Sequence, residues 1–302
     1  MGRQSDGGRE RSTMPRAKSN GVELEYDTFG SPTDPALVLV MGLGAQLIDW
    51  PEDFAREIAG HGFHVIRFDN RDIGLSTYLD DLPVPDLAAI VAGNGTPPYT
   101  LADLADDTVG LLDALDIGAA HIVGASMGGM VAQRLVLDHP ERALSLTSIM
   151  STTGDPTVGA TSPAALAVLT RPPARDREEA IAGSIAAWRV IGSTGFEVTD
   201  EYMAARAGAL YDRAYHPAGA GRQLAAIVTT PDRTEGLRRV TVPTMVIHGE
   251  IDQLVDVSGG RATAAAVPDA ELLIVPGMGH DLPTGVWPQV IDAIVRTAKR
   301  AG

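Results

Sequence analysis

Short runs rich in Val, Ile and Leu recur at Ala36–Met41, Val65–Asp69, Ala120–Ala125, Leu144–Met150, Thr244–Gly249 and Glu271–Val275, with helix-like stretches between several of them. Consecutive apolar positions over so few residues suit a strand covered on both faces. Such strands alternating with helices predict an α/β fold, a mostly parallel sheet with helices on both sides. Val22–Thr28 alternates in character instead and suits an antiparallel edge. Crossover helices are expected at Glu52–Gly60, Thr100–Leu115, Met127–Leu137 and Trp287–Lys299. The second opens with Thr100 three residues before Asp103, a capping-box spacing.

The rhythm stops after Met150 and resumes at Thr244. The Ala-rich interval reads as short helices near 161–170, 177–192, 199–214 and 218–229, punctuated by Pro172, Pro173, Gly192, Gly195, Pro217 and Pro231. Its Trp188, Phe196, Tyr202, Met203, Tyr211 and Tyr215 serve either as packing between those helices or as the roof of a pocket.

Gly124-Ala125-Ser126-Met127-Gly128 falls between a predicted strand and a predicted helix, the context of a nucleophile elbow. The reason for the pattern is steric. A serine at a sharp strand-to-helix bend takes φ > 0, and neighbouring chains come so close that the positions two before and two after must lack side chains. The pentapeptide alone is weak; its placement gives it meaning.

A serine hydroxyl needs a base to take its proton, and the base needs a carboxylate to orient it. Of the seven histidines, His216, His248 and His280 follow Ser126 outside its helix. His280 sits in the glycine-flexed loop Pro276-Gly277-Met278-Gly279-His280 after the last strand, at the edge where open parallel sheets bind ligands, and is the expected base. His248 is expected to pack or hydrogen-bond beside the acid, and His216 to line substrate; His61, His64, His121 and His139 read as structural or surface residues. Asp252 is the expected acid, with Glu250 as its alternative in the same loop. The oxyanion requires two backbone N–H groups, expected from Met127 and from Leu43 in the turn Met41-Gly42-Leu43-Gly44. The expected substrate pocket comprises Met41, Met130, Trp188, Tyr215 and His216.

Composition narrows the chemistry. The 302 residues contain no cysteine, which removes thiolate catalysis and disulfides and leaves an oxygen or a lysine as nucleophile. A formal net charge of −15 opposes nucleic-acid binding. The basic residues Arg3, Arg9, Arg11, Arg16 and Lys18 gather in a Gly/Ser-rich stretch over 1–20, read as a disordered tail without the apolar core of an export signal. The longest apolar run, Ala36–Ala45, is too short to span a bilayer, so the expected location is cytoplasmic, with peripheral lipid contact left open. Gly42-x-Gly44 with Asp69 resembles part of a dinucleotide fingerprint, but Leu47 occupies the third glycine position; no cofactor is expected. His61-x-x-His64 lacks companion ligands, so no metal is expected either.

The elbow, the Met-Gly-Leu-Gly turn, the segment Asp69-Asn70-Arg71-Asp72-Ile73-Gly74-Leu75-Ser76, Asp252 and His280 come in the order of the α/β-hydrolase family, which the chain resembles over about residues 21–300. It is similar to bacterial carboxylesterases of the aclacinomycin methylesterase type in its Val-Met-Gly start, Arg-Asp-x-Gly-x-Ser segment and Pro-Gly-Met-Gly-His ending. The resemblance implies an eight-stranded sheet with a helical cap after the sixth strand and a Ser126, Asp252, His280 triad. The expected division is a core over 21–151 and 238–302 and a cap over 152–237. Two positions depart from the common pattern: many relatives have His-Gly where Met41-Gly42 stands, and Asp72 occupies a frequent glycine position, as it does in the methylesterase type. Asp69 and Arg71 read as buried or turn-fixing. The implied activity is hydrolysis of small hydrophobic esters, lipase-like or thioesterase-like, through an acyl-enzyme. A cofactor-free perhydrolase and a non-catalytic ligand-binding homologue are the alternatives.

Overall fold

The computed structural model describes residues 14–301. An eight-stranded sheet runs in the order β1-β2-β4-β3-β5-β6-β7-β8, with β1 (Arg16–Ser19), β2 (Val22–Phe29), β3 (Ala36–Val40), β4 (His64–Phe68), β5 (Ala120–Ala125), β6 (Ala143–Ile149), β7 (Thr244–Gly249) and β8 (Glu271–Val275). β1 and β2 pair antiparallel, as do β2 and β4; the remaining pairs are parallel. Every residue of β3, β4, β5 and β7 is buried, which accounts for their largely apolar character.

The helices are α1 (Glu52–Ala59), α2 (Leu87–Val91), α3 (Leu101–Ala114), α4 (Met127–Asp138), α5 (Pro163–Leu169), α6 (Arg177–Ile191), α7 (Asp200–Arg213), α8 (Pro217–Val228), α9 (Thr234–Leu237), α10 (Val257–Ala266) and α11 (Trp287–Lys299). Alternate strand positions feed two cores. Val38, Ile66, Ile122 and Leu146 pack with α3 and α4, whereas Leu37, Leu39, Val123 and Ile247 pack with α1 and α11. The Ala-rich interval between β6 and β7 forms α5 to α9. Local chemistry starts its helices: Ser162, Asp176 and Thr199 cap α5, α6 and α7 through their side chains, and Pro217 opens α8.

The tail expected over 1–20 is corrected at its end. Residues 1–13 lie outside the described residues, but Arg16–Ser19 is a strand. Ala17 and Ser19 turn inward, Ser19 Oγ donates to the Asp107 carbonyl at 2.6 Å, and Asn20-Gly21 makes the hairpin turn with φ of 44° and 81°. The Asn-Gly pair carried that signal. No helix among the described residues is long and apolar enough to cross a membrane.

Candidate active site

Ser126 sits between β5 and α4 with φ 56°, in the left-handed region that a non-glycine residue occupies only when its surroundings hold it there. The surroundings do so. Its N–H donates to the Ile149 carbonyl at 2.9 Å, extending the pairing with β6. A Cβ on Gly124 would stand 2.0 Å from the Gly128 carbonyl oxygen, and one on Gly128 would stand 2.1 Å from that of Val40. The helix can start tightly against β3 and β5 only because neither residue has a side chain.

Parallel strands end at the same edge of the sheet, and three of their loops meet there. After β8, His280 Nε2 lies 2.9 Å from Ser126 Oγ, and its Nδ1 lies 2.7 Å from Asp252 Oδ2 in the loop after β7. Asp252 Oδ1 accepts the Leu254 and Val255 N–H groups at 2.8 and 2.9 Å. Burial opposes ionisation of Asp252, yet the electrostatic interaction with the His280 imidazole and hydrogen bonds from His248, His280 and the Val255 amide outweigh it, holding this carboxyl well below the usual carboxylate range. An acid fixed in its ionised form can orient the imidazole and stabilise it when protonated. Glu250 is exposed at the end of β7, so the carboxylate against His280 is that of Asp252. His248 lies beside the acid, its Nε2 2.8 Å from the Val255 carbonyl and 3.4 Å from Asp252 Oδ2.

The turn after β3 faces Ser126 from the other side. Asn70 Nδ2 donates to the Met41 carbonyl at 2.9 Å and Gln223 Oε1 accepts from Gly44 N–H at 2.9 Å, fixing the turn at both ends. The Leu43 and Met127 N–H groups have no acceptor among the described residues, and both residues line the cavity that holds Ser126 and His280. A pair of free amides beside a serine suits an oxygen that gains negative charge.

The cavity encloses about 500 Å³ and is mainly apolar, with Met41, Met127, Met130, Met150 and Met203 in its wall. Of the expected pocket residues it brings together Met41, Met130 and Trp188. Tyr215 and His216 do not join them and instead border a separate depression under α7 and α8. Tyr215 donates its hydroxyl to the Ala174 carbonyl at 3.1 Å. His216 stacks on Tyr78 at 3.8 Å and bonds the Asp72 carbonyl and Asp80 at 2.9 and 2.8 Å. The start of α8 docks onto the Asp72 turn, which commits His216 to that seam, while Tyr215 is held against Ala174 and Tyr211. Asp69 and Arg71 are buried: Asp69 accepts the Leu47 and Leu75 N–H groups at 2.6 and 2.8 Å, and Arg71 pairs with Asp107 at 2.5 Å. The sequence reading passed over Asp281, which lines the cavity beside His280.

A fold of this topology carrying such an elbow defines a hydrolase class, and the chain belongs to the family described as alpha/beta hydrolase fold, whose model matches residues 35–283. It is 28% identical over 308 aligned positions to rhodomycin D methylesterase of Streptomyces sp. (strain C5), covering 93% of this chain and 96% of that protein. Among solved structures, a hydrolase from Pseudomonas aeruginosa PA01 superposes with a TM-score of 0.72 at 28% identity, covering 96% of this chain and 99% of that one. The meta-cleavage product hydrolase of Pseudomonas fluorescens IP01 shares the fold with a TM-score of 0.76 at 19% identity, covering 95% and 98%.

Proposed function

We propose that this chain is a carboxylic ester hydrolase acting on small esters with a hydrophobic acyl or alcohol group, by an acyl-enzyme route through Ser126, His280 and Asp252. The observation that carries the reading is the unbroken relay from Asp252 to His280 to Ser126, at 2.7 and 2.9 Å, opening into an apolar cavity. Ser126 Oγ attacks the ester carbonyl as its proton passes to His280 Nε2, and Asp252 stabilises the imidazolium. The Leu43 and Met127 amides hold the oxyanion. The ester C–O bond breaks, His280 returns the proton to the departing alcohol, and water, activated by the same imidazole, releases the acid. Residues 152–237 act as a cap over a core that begins at Arg16 and resumes at 238. Ester hydrolysis by the rhodomycin D methylesterase relative supports the reaction class.

Five methionines in the cavity wall argue against a perhydrolase, because a peracid made there would oxidise thioethers within reach. Fluorophosphonate labelling with peptide mapping tests the reading. Ser126 should take the label, and Ser126→Ala should keep no more than roughly 10³–10⁴-fold acceleration over water. Wild-type ester turnover in Ser126→Ala would overturn the nucleophile, and an inert serine in folded protein would favour a ligand-binding role.

A further inference from the structure

The loop carrying His280 is bonded to the end of α6 on both sides of the histidine. His280 N–H donates to the Ile191 carbonyl at 2.7 Å, and the Thr194 and Gly195 N–H groups donate to the Gly277 carbonyl at 3.1 and 2.9 Å. Gly279 N–H donates to Ser193 Oγ at 3.0 Å, while the Ser193 hydroxyl itself donates to Asp281 Oδ1. Asp281 also accepts the Ser193 N–H on Oδ1 and the Trp188 indole N–H on Oδ2, each at 2.9 Å. The seam has no slack: a Cβ on Gly279 would stand 2.4 and 2.5 Å from the carbonyl oxygens of Ile191 and Gly192. Ser193, at the centre, is 3% exposed.

Asp252 fixes the imidazole at Nδ1, but that bond leaves the backbone of residue 280 to be placed by its neighbours. The polar side chains bonded to this stretch are Ser193 and Asp281 themselves, with Trp188 behind them. We propose that Asp281, acting through Ser193 and Trp188, is a positioning residue for His280, so that the last turn of α6 sets the approach of the base to Ser126. The inference rests on the reading of Ser126 and His280 as nucleophile and base. It also gives Trp188 a second part. Its ring lines the cavity while its N–H holds the carboxylate, so an acyl group lodged against that ring bears on the support of the base.

The test uses the full chain with Ser193→Ala, Asp281→Asn, Asp281→Ala and Trp188→Phe. Trp188→Phe keeps an aromatic ring in the wall and removes one donor, which makes it the variant least able to disturb folding. The readouts are kcat and KM on a short aryl ester, the rate of Ser126 labelling by a small fluorophosphonate, and the low-field proton resonance of His280 Nδ1. A misplacement near 1 Å costs on the order of 100-fold, so kcat and labelling rate should fall together by about 10- to 100-fold in Ser193→Ala and Asp281→Ala, while KM moves by no more than about twofold. The resonance should shift, Asp281→Asn should recover part of the loss because it keeps an acceptor for Ser193, and the chain carrying both Ser193→Ala and Asp281→Ala should be little worse than either single variant. Wild-type kcat, labelling rate and resonance in every variant would overturn the proposal, even if Tm falls. So would a rise in KM alone. Absence of labelling in the wild-type chain would instead bring down the acyl-enzyme reading and this inference with it.

Discussion

Arg222 and Asp72 meet in a two-point ion pair at 2.8 and 2.9 Å with their side chains only 1% and 0% exposed. Arg222 lies on α8, and Asp72 lies in a left-handed turn, φ 71°, at the sheet edge, so the pair fastens the insertion to the core. Burial opposes the charge on Asp72, but hydrogen bonds from Arg222 and the Leu79 amide, with the charge of Arg222, keep its carboxyl below the ordinary range. Arg222→Met leaves the Asp72 carboxylate buried without its partner and should cost roughly 3–5 kcal/mol in urea unfolding, whereas Asp72→Asn should cost less, because Arg222 keeps Asp80 at 3.5 Å and the Leu82 carbonyl at 3.0 Å. Asn tolerates the left-handed turn, which keeps backbone strain out of the comparison. The double variant should lose clearly less than the two single losses added together; simple additivity would show that the pair is not coupled.

Gly128 should refuse alanine. The added Cβ would meet the Val40 and Met41 carbonyl oxygens at 2.1 and 2.8 Å, and backbone cannot rotate away as a side chain can. Gly128→Ala should lose about 1–3 kcal/mol or more by overpacking, together with most ester turnover, because relief must come from α4 lifting off β3. Gly42→Ala meets Ser126 Cβ at 3.1 Å and should be milder in Tm, with the loss concentrated in kcat as the Leu43 amide is pushed from the serine. Equal melting losses in the two variants would contradict this ordering.

The difference between these glycines and the misplaced pocket residues explains what could be read from the sequence. The Ser126 elbow is dictated within five residues by steric exclusion, and Asp252 and His280 each follow a strand whose end the parallel sheet brings to the same edge. Their meeting was therefore legible before any coordinates. His216 depends on the seating of α8 against the Asp72 turn, a packing decision between segments more than 130 residues apart, and Tyr215 on a contact with Ala174 in the loop before α6; no local pattern encodes either. Asp281 reads as an ordinary loop carboxylate until Trp188 and Ser193, some 90 residues away, arrive beside it.

Asp252 ties stability to acid. Its folded pKa lies below the unfolded value near 3.9, so the stabilisation it brings is complete above that pH and drains away as pH falls toward the folded value. Asp252→Asn should lower kcat by about 10⁴-fold by favouring the wrong imidazole tautomer. The stability gap between wild type and Asp252→Asn, measured by urea unfolding, should be constant near neutrality and narrow below about pH 4. A gap that widens on acidification would reverse the assigned sign.

His121 acts in a different window. It is 4% exposed on β5, its Nδ1 is 2.9 Å from Ser145 Oγ, and burial pushes its pKa down to about 4. The unfolded chain binds the extra proton first, so stability should fall as pH drops from the unfolded value near 6.5 toward about 4, by at most about 1.4 kcal/mol per pH unit. His121→Asn, whose amide can still meet Ser145, should flatten unfolding free energy across that window. Unchanged steepness would place the acid sensitivity elsewhere.

The cavity wall makes a claim about substrate that a homologous series of aryl esters can check. Each methylene moved from water into an apolar site gains about 0.8 kcal/mol, so kcat/KM should rise by up to about fourfold per methylene until the space is filled, then level or fall. Met203 lines that space and is 6% exposed, so Met203→Gln should reduce the slope by placing an amide where the chain lies. Tyr215, which borders the separate depression, provides the control: Tyr215→Ala should leave the slope intact. A flat series in the wild-type chain would mean that the acyl group does not occupy the methionine-lined space, and the apolar reading of the substrate would fail even if Ser126 remained the nucleophile.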